Sequence, residues 1–189
     1  MGAAAAHQQQ ANAAAAFQTL YVAGHRVEVR ATAFGPGVPG AQAYHTSVTV
    51  DDTEFAFCMN GIIPGPPGHS HQCYASEPKV RYVGLSPVSG PDLLKNMGPY
   101  FLRGSYDLLR KNCNSFSDCA LYCLLDARLD PRYRSLEKLG HAADEQACLV
   151  QIFTDGCYRP NPAADGFDVE KVVRMIRGAK QQLGIVAMQ

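Results

Sequence analysis

The run Asp107-Leu108-Leu109-Arg110-Lys111-Asn112-Cys113-Asn114-Ser115-Phe116-Ser117-Asp118-Cys119-Ala120-Leu121-Tyr122-Cys123-Leu124-Leu125 decides how this chain is read. It starts polar and becomes an apolar helical pattern. Phe116, Cys119, Ala120, Cys123 and Leu124 fall at i, i+3, i+4, i+7 and i+8, one face of an α-helix. Asn112 is the expected N-cap, since its side-chain oxygen can accept from an orphan amide of the first turn. Cys113 then stands at the mouth of the helix, where unpaired N–H groups and the macrodipole favour negative charge.

A free thiol titrates near ~8.5 and is mostly protonated at neutral pH. Lowering that value by about two units takes ~2.7 kcal/mol. A helix N-terminus supplies ~0.3–1 kcal/mol, up to ~2 when partly buried. A second group is therefore needed, and a histidine is the usual one. The alternative is a small buried hydrophobe, as most free cysteines are. The flanking Asn112 and Asn114 argue against simple burial, because an apolar core would leave their amides unpartnered.

Outward from this helix, the whole chain sets limits. Its 189 residues, 47% hydrophobic, suffice for one domain with a core, with or without extensions. Lys and Arg balance Asp and Glu at 17 each, so no basic field points to nucleic acid. The apolar run Cys119 to Leu125 is far short of a membrane span, and no secretory signal is visible. Seven cysteines without framework spacing are read as reduced thiols in a cytoplasmic, or also nuclear, compartment.

Residues 1–19 form an Ala/Gln-rich, low-complexity N-terminus expected to be flexible. Leu20 to Arg30 alternates like a strand, Phe34 to Gly40 has the glycines and prolines of a loop, and Tyr44 to Val50 alternates again. His45, Ser47 and Thr49 should share one face of that strand, with Tyr44, Thr46, Val48 and Val50 on the other. Asp51-Asp52-Thr53 reads as a turn into a strand over Glu54 to Cys58, Gly61 to Gly68 as an ordered loop or lid, and Lys79 to Leu85 as a further strand. Short helices are expected after Pro91 and from Tyr133 to Gly140, and Cys148 to Phe153 is an apolar stretch. Tyr158 to Gly166 reads as a linker, and Asp168 as the cap of a last helix with Val169, Val172, Val173 and Ile176 on its apolar face. Lys171, Arg174, Arg177 and Lys180 on that helix read as a solvated basic face.

Cysteine hydrolase chemistry needs a thiolate, a histidine to share its proton, and amides for the oxyanion. Among six histidines, His45 alone sits on a convincing strand, beside small hydroxylated residues that leave room for a substrate. His7, His25, His69, His71 and His141 lie in a low-complexity tail, beside a strand, or in loops. No third residue that orients His45 can be named from the sequence. The competing cluster is His69-Ser70-His71-Gln72-Cys73, which could ligate zinc with Cys58 as a fourth group, although its spacing is not that of a common finger. Cys119 and Cys123, four apart on the apolar face, read as core.

Asn112-Cys113-Asn114-Ser115-Phe116-Ser117, with Tyr106-Asp107-Leu108-Leu109 before it, resembles the cysteine motif of the PPPDE family of thiol peptidases, the deSUMOylating isopeptidases. Tyr44-His45-Thr46-Ser47-Val48 resembles the family's histidine motif, and Glu54-Phe55-Ala56-Phe57, Gly61-Ile62 and Pro66-Pro67-Gly68 the segment after it. Histidine before cysteine is also the family's order. The similarity spans roughly Arg26 to Gly140. Tyr44 stands where relatives often carry Trp, and Cys58 and Met59 where they often carry small residues.

The resemblance implies an α+β fold, a permuted papain-like cysteine hydrolase with an antiparallel sheet packed against helices. It divides the chain into the N-terminus 1–19, a catalytic domain 20–141 and a C-terminal helical extension 142–189, which matches nothing in the family. It implies a Cys113/His45 dyad, without cofactor or metal, that cleaves the isopeptide bond between a ubiquitin-like modifier (SUMO or ubiquitin) and lysine. It also implies a homodimer with the site in a groove at the subunit boundary. Two further expectations stand beside it: a thioesterase removing palmitoyl groups from protein cysteines, and a non-catalytic modifier-binding module.

Overall fold

The computed structural model describes residues 24–38, 41–134 and 158–182. The expectations for residues 1–19, Leu20 to Ala23, Ser135 to Gly140 and Cys148 to Phe153 lie outside them. The fold is α+β. Strands β1 (His25–Val38), β2 (Ala41–Val50), β3 (Thr53–Cys58), β4 (Gly61–Gly65) and β5 (Lys79–Ser86) form one antiparallel sheet in the order β4-β3-β2-β1-β5. Helices α1 (Gly90–Met97), α2 (Cys113–Leu125) and α3 (Val169–Gln182) follow.

The pairing register sorts the sheet into two unlike faces. Val27↔Val50, Val29↔Val48, Ala31↔Thr46 and Val48↔Phe55 put the apolar residues on one side. Thr32↔His45, Arg30↔Ser47 and Thr49↔Glu54 put polar residues on the other. The apolar side carries the core: Val27, Val48, Phe55 and Phe57 pack in one cluster with Leu93 and Met97 of α1, Phe116 and Leu124 of α2, and Val172 and Ile176 of α3. Helix α2 is its centre, buried on every side from Cys113 to Leu124. Phe101 stands edge-on to Phe57, Phe116 and Phe167, at centroid distances of 5.0, 5.3 and 5.5 Å. Helix α1 comes so close to the sheet that a Cβ on Gly90 would lie 2.8 Å from the Phe55 ring.

Three local expectations are corrected. Strand β1 continues through the supposed loop to Val38: Gly35 takes φ 71°, and the irregularity between Phe34 and Val38 absorbs the mismatch. The supposed lid begins as β4, paired with β3 from Cys58↔Gly61 to Glu54↔Gly65. Pro64 is tolerated there because β4 is the sheet edge, where a missing N–H breaks no outer ladder. Helix α3 is capped by Asp168 as expected, with Oδ1 accepting from the Glu170 amide at 2.8 Å. Its basic residues are not all solvated. Arg177 donates to the Tyr122 hydroxyl at 2.8 Å, and Lys180 donates to the Tyr122 carbonyl at 3.0 Å and to Asp126 at 2.9 Å. They meet the C-terminal end of α2, where its carbonyls and dipole favour cations.

Buried Asp118 fastens α2 further. It accepts from Arg128 Nε at 2.8 Å, Arg134 Nη1 at 2.7 Å and the Leu129 amide at 2.9 Å, and Arg128 also pairs with Glu170 of α3. A buried carboxylate with this many donors is satisfied.

Candidate active site

The start of α2 is built by its cap. Asn112 Oδ1 accepts from the amides of Asn114 at 2.9 Å and Ser115 at 3.0 Å, and Ser115 Oγ accepts from the Asn112 amide at 3.3 Å. This reciprocal box makes Cys113 the first helical residue. Thr46 of β2 lies 2.9 Å from both Asn114 Oδ1 and Ser117 Oγ, which seats the helix against the strand. The flanking asparagines thus find polar partners in a buried setting.

The Cys113 sulfur lies 4.0 Å from the carbonyl of Tyr44, the residue just before His45, and 3.8 Å from Asn114 Oδ1. Tyr106 lies near enough for the sulfur to act on its phenol. Burial first, and then Cys113, pushes the Tyr106 phenol far above its ordinary value, so it keeps its proton. Tyr74 is raised in the same way, by burial first and Cys113 next. Its ring also stacks on His45, with centroids 5.2 Å apart at 24°. Tyr74 is therefore a common neighbour of the sulfur and the imidazole.

His45 is 8% exposed and projects from the polar face of the sheet. Its Nε2 is 2.8 Å from Ser70 Oγ, and that hydroxyl donates to Glu54 Oε1. Burial above all, then the neighbouring His71, lowers the His45 pKa to about 4, against an opposing pull from Glu54. At neutral pH His45 is uncharged and available to take a proton. His71 is buried as well, its Nδ1 2.8 Å from Thr32 Oγ1 and its Nε2 3.0 Å from Ser47 Oγ. The small hydroxyls beside His45 thus hold a second histidine and do not leave space for a substrate, as the sequence had suggested.

The zinc cluster dissolves in the same way. His71 is held by two hydroxyls while His69 and Cys73 are exposed. No three of His, Cys, Asp and Glu converge on a metal position among the described residues. His25 pairs with Asp51 at 2.7 Å, and His7 and His141 lie outside the described residues.

The loop before α2 is anchored from the far end of the chain. Asp107, 2% exposed, accepts from the amides of Leu109, Arg110 and Asn161 at 2.9, 2.9 and 2.8 Å, and from the Tyr158 hydroxyl at 3.0 Å. Asn161 Nδ2 donates to the carbonyls of Gly104 and Tyr106, each at 2.8 Å. The segment expected to be a linker is a strap across the loop that carries Tyr106. Between strap and loop runs an open, mainly apolar groove of about 680 Å³, lined by Met59, Tyr106, Leu108, Tyr158 and Pro162 among others. Tyr106 joins this groove to the sulfur.

Sequence reasoning missed Ser70, Glu54, Tyr74, Tyr106 and the Asp107 strap. Only Glu54 left a signal: strand alternation places it on the face of Thr49, hence of His45.

No curated protein matches this chain at a significant level. The model of the PPPDE putative peptidase domain matches residues 16–153, which include β1 to β5, α1, α2, Cys113 and His45. With well over half of its length under that model, the chain belongs to the PPPDE peptidase family.

Proposed function

We propose that the protein is a cysteine isopeptidase of permuted papain-like type that removes a ubiquitin-like modifier, SUMO or ubiquitin, from lysine side chains. The observation that carries this reading is the seating of Cys113 at a capped helix N-terminus, against the backbone of the strand that bears a neutral His45. In the proposed reaction the Cys113 sulfur attacks the carbonyl of the modifier's terminal glycine while His45 takes the thiol proton. The backbone N–H of Cys113, with the Tyr106 hydroxyl close by, receives the oxyanion. His45 passes its proton to the leaving lysine amine, and water then hydrolyses the thioester.

The mainly apolar groove beside Tyr106 favours a second reading, in which the same pair cleaves an S-acyl thioester and the groove takes the acyl chain. A panel of probes decides between them: SUMO and ubiquitin bearing C-terminal electrophiles, and a palmitoyl thioester. Labelling by a modifier probe, abolished in Cys113→Ala and in His45→Ala, is expected. Turnover of the palmitoyl substrate alone moves the assignment to a thioesterase. Absence of labelling by every probe, and by a small alkylating agent at neutral pH, leaves a non-catalytic binding module.

A further inference from the structure

We infer that Ser70 and Glu54 are a positioning pair for His45, setting its tautomer so that Nδ1 is the nitrogen that takes and returns the proton. This rests on the Cys113/His45 reading and adds what holds the base.

A serine hydroxyl has one hydrogen and two lone pairs. The Ser70 hydrogen goes to Glu54 Oε1. Toward His45 Nε2, 2.8 Å away, Ser70 can then offer only a lone pair, so Nε2 carries the N–H. A neutral imidazole has a single N–H, and Nδ1 is left with its lone pair. The ring plane is fixed as well, stacked on Tyr74 and tilted at 55° against His71 with centroids 4.6 Å apart.

Glu54 is not explained by packing. It is 1% exposed on a strand otherwise apolar at Phe55, Ala56 and Phe57, and its Oε2 has no hydrogen-bond partner among the described residues. A buried carboxyl oxygen without a partner costs stability, and a role at a site is one reason such a group persists. Its other oxygen serves Ser70 and lies 3.8 Å from His71 Nε2.

The Cys113 thiol proton passes to Nδ1, giving a thiolate and an imidazolium. The imidazolium keeps its Nε2–H on Ser70, and Glu54 lies behind Ser70 to offset the new charge. The thiolate forms the S–C bond, the C–N bond of the isopeptide breaks, and the Nδ1 proton leaves on the amine. The titratable groups facing His45 are Glu54 from β3, His71 and Tyr74 from the segment after β4, and, through Tyr74, Cys113 of α2. Arg30 of β1 acts on His71 behind them.

The test uses the full chain with ¹⁵N-labelled histidine. Two-bond ¹H–¹⁵N spectra at neutral pH should show His45 as the Nε2–H tautomer, and Ser70→Ala should turn it into a mixture. Ser70 is only half-buried, so this variant should fold. On a modifier conjugate, Ser70→Ala should lower kcat by about 10- to 100-fold, part of the ~10²–10⁴ that a positioned base supplies. KM should stay within about twofold, because the pair acts on the base and not on ground-state binding. Ser70→Thr, which keeps the hydroxyl, should restore most of kcat. Glu54→Gln should slow both turnover and alkylation of Cys113 by iodoacetamide at pH 7. An Nδ1–H tautomer in the unaltered protein overturns the inference. So does a Ser70→Ala variant with unchanged tautomer and kcat, or a loss of kcat that Ser70→Thr does not reverse. Full turnover in Cys113→Ala overturns the catalytic reading itself, and the tautomer measurement still stands apart from it.

Discussion

The two faces of the sheet are held by different physics. On the helical side, β1, β2 and β3 present valines and phenylalanines to α2, and stability there comes from apolar area removed from water and from close packing. On the opposite side the same strands present Thr32, His45, Ser47 and Glu54, tied through Ser70 and His71 by hydrogen bonds between residues far apart in sequence. The first face tolerates apolar side chains of the right shape. The second depends on where each proton sits. Cys113 joins them: its helix is built into the apolar side, while its sulfur lies 4.0 Å from the carbonyl of Tyr44, the neighbour of His45 on β2.

Substitutions should separate these faces in kind as well as in size. The largest effect expected is on chemistry: Cys113→Ala should cut turnover of a modifier conjugate by about 10³-fold or more. Its melting temperature should stay close to that of the unaltered protein, since only a sulfur atom is removed. Full activity in that variant would sink the proposed mechanism. Next comes the apolar face. Phe101→Ala should cost about 3–5 kcal/mol in urea unfolding, through lost burial and the cavity left between Phe57, Phe116 and Phe167. That cost should be the same at pH 5 and pH 7.

The polar face should respond to pH. The folded pKa of His45 is depressed to about 4, and that of His71 is lowered too, both by burial first. Between pH 6.5 and pH 4 the unfolded chain therefore binds more protons than the folded one, so stability is present above pH 6.5 and is lost as pH falls through that window. For His45 the loss amounts to roughly 3 kcal/mol. Urea midpoints recorded from pH 7 to pH 4 should fall accordingly, and His45→Gln should flatten the slope. A pH-independent midpoint would remove the distinction between the faces. Thr32→Val, isosteric but without the hydroxyl at His71 Nδ1, should cost about 1–3 kcal/mol. Last and smallest, Lys180→Ala should cost about 0.5 kcal/mol, with the deficit reduced by salt.

What was legible in the sequence follows the same divide. The apolar period of Phe116, Cys119, Ala120, Cys123 and Leu124 located α2, and Asn112 located its start to the residue, because both signals are local. The alternation from Tyr44 to Val50 told which residues share a face before any partner strand was known. Gly35 and Pro64 misled, since tertiary pairing recruited both segments as strands against their local turn character. The arrangement around His45 was not legible because hydrogen bonds between Ser70 and Glu54, or His71 and Thr32, leave no periodic trace. His69-Ser70-His71-Gln72-Cys73 therefore stood as a competing zinc cluster, when Ser70 and His71 serve the sheet. Tyr106 and Asp107 were seen only as part of a motif, and the distant partners of Asp107 lie 51 and 54 residues further on.

The family match ends at residue 153, yet Tyr158, Asn161 and α3 come after it. A protein shortened to that boundary would lose the Tyr158 and Asn161 partners of Asp107 and the hold on the Gly104 and Tyr106 carbonyls. It would also bare the apolar surface that Val172, Val173 and Ile176 cover. For this molecule the unit of inheritance and the unit of folding have different edges, and any trimmed version should be cut beyond Gln182.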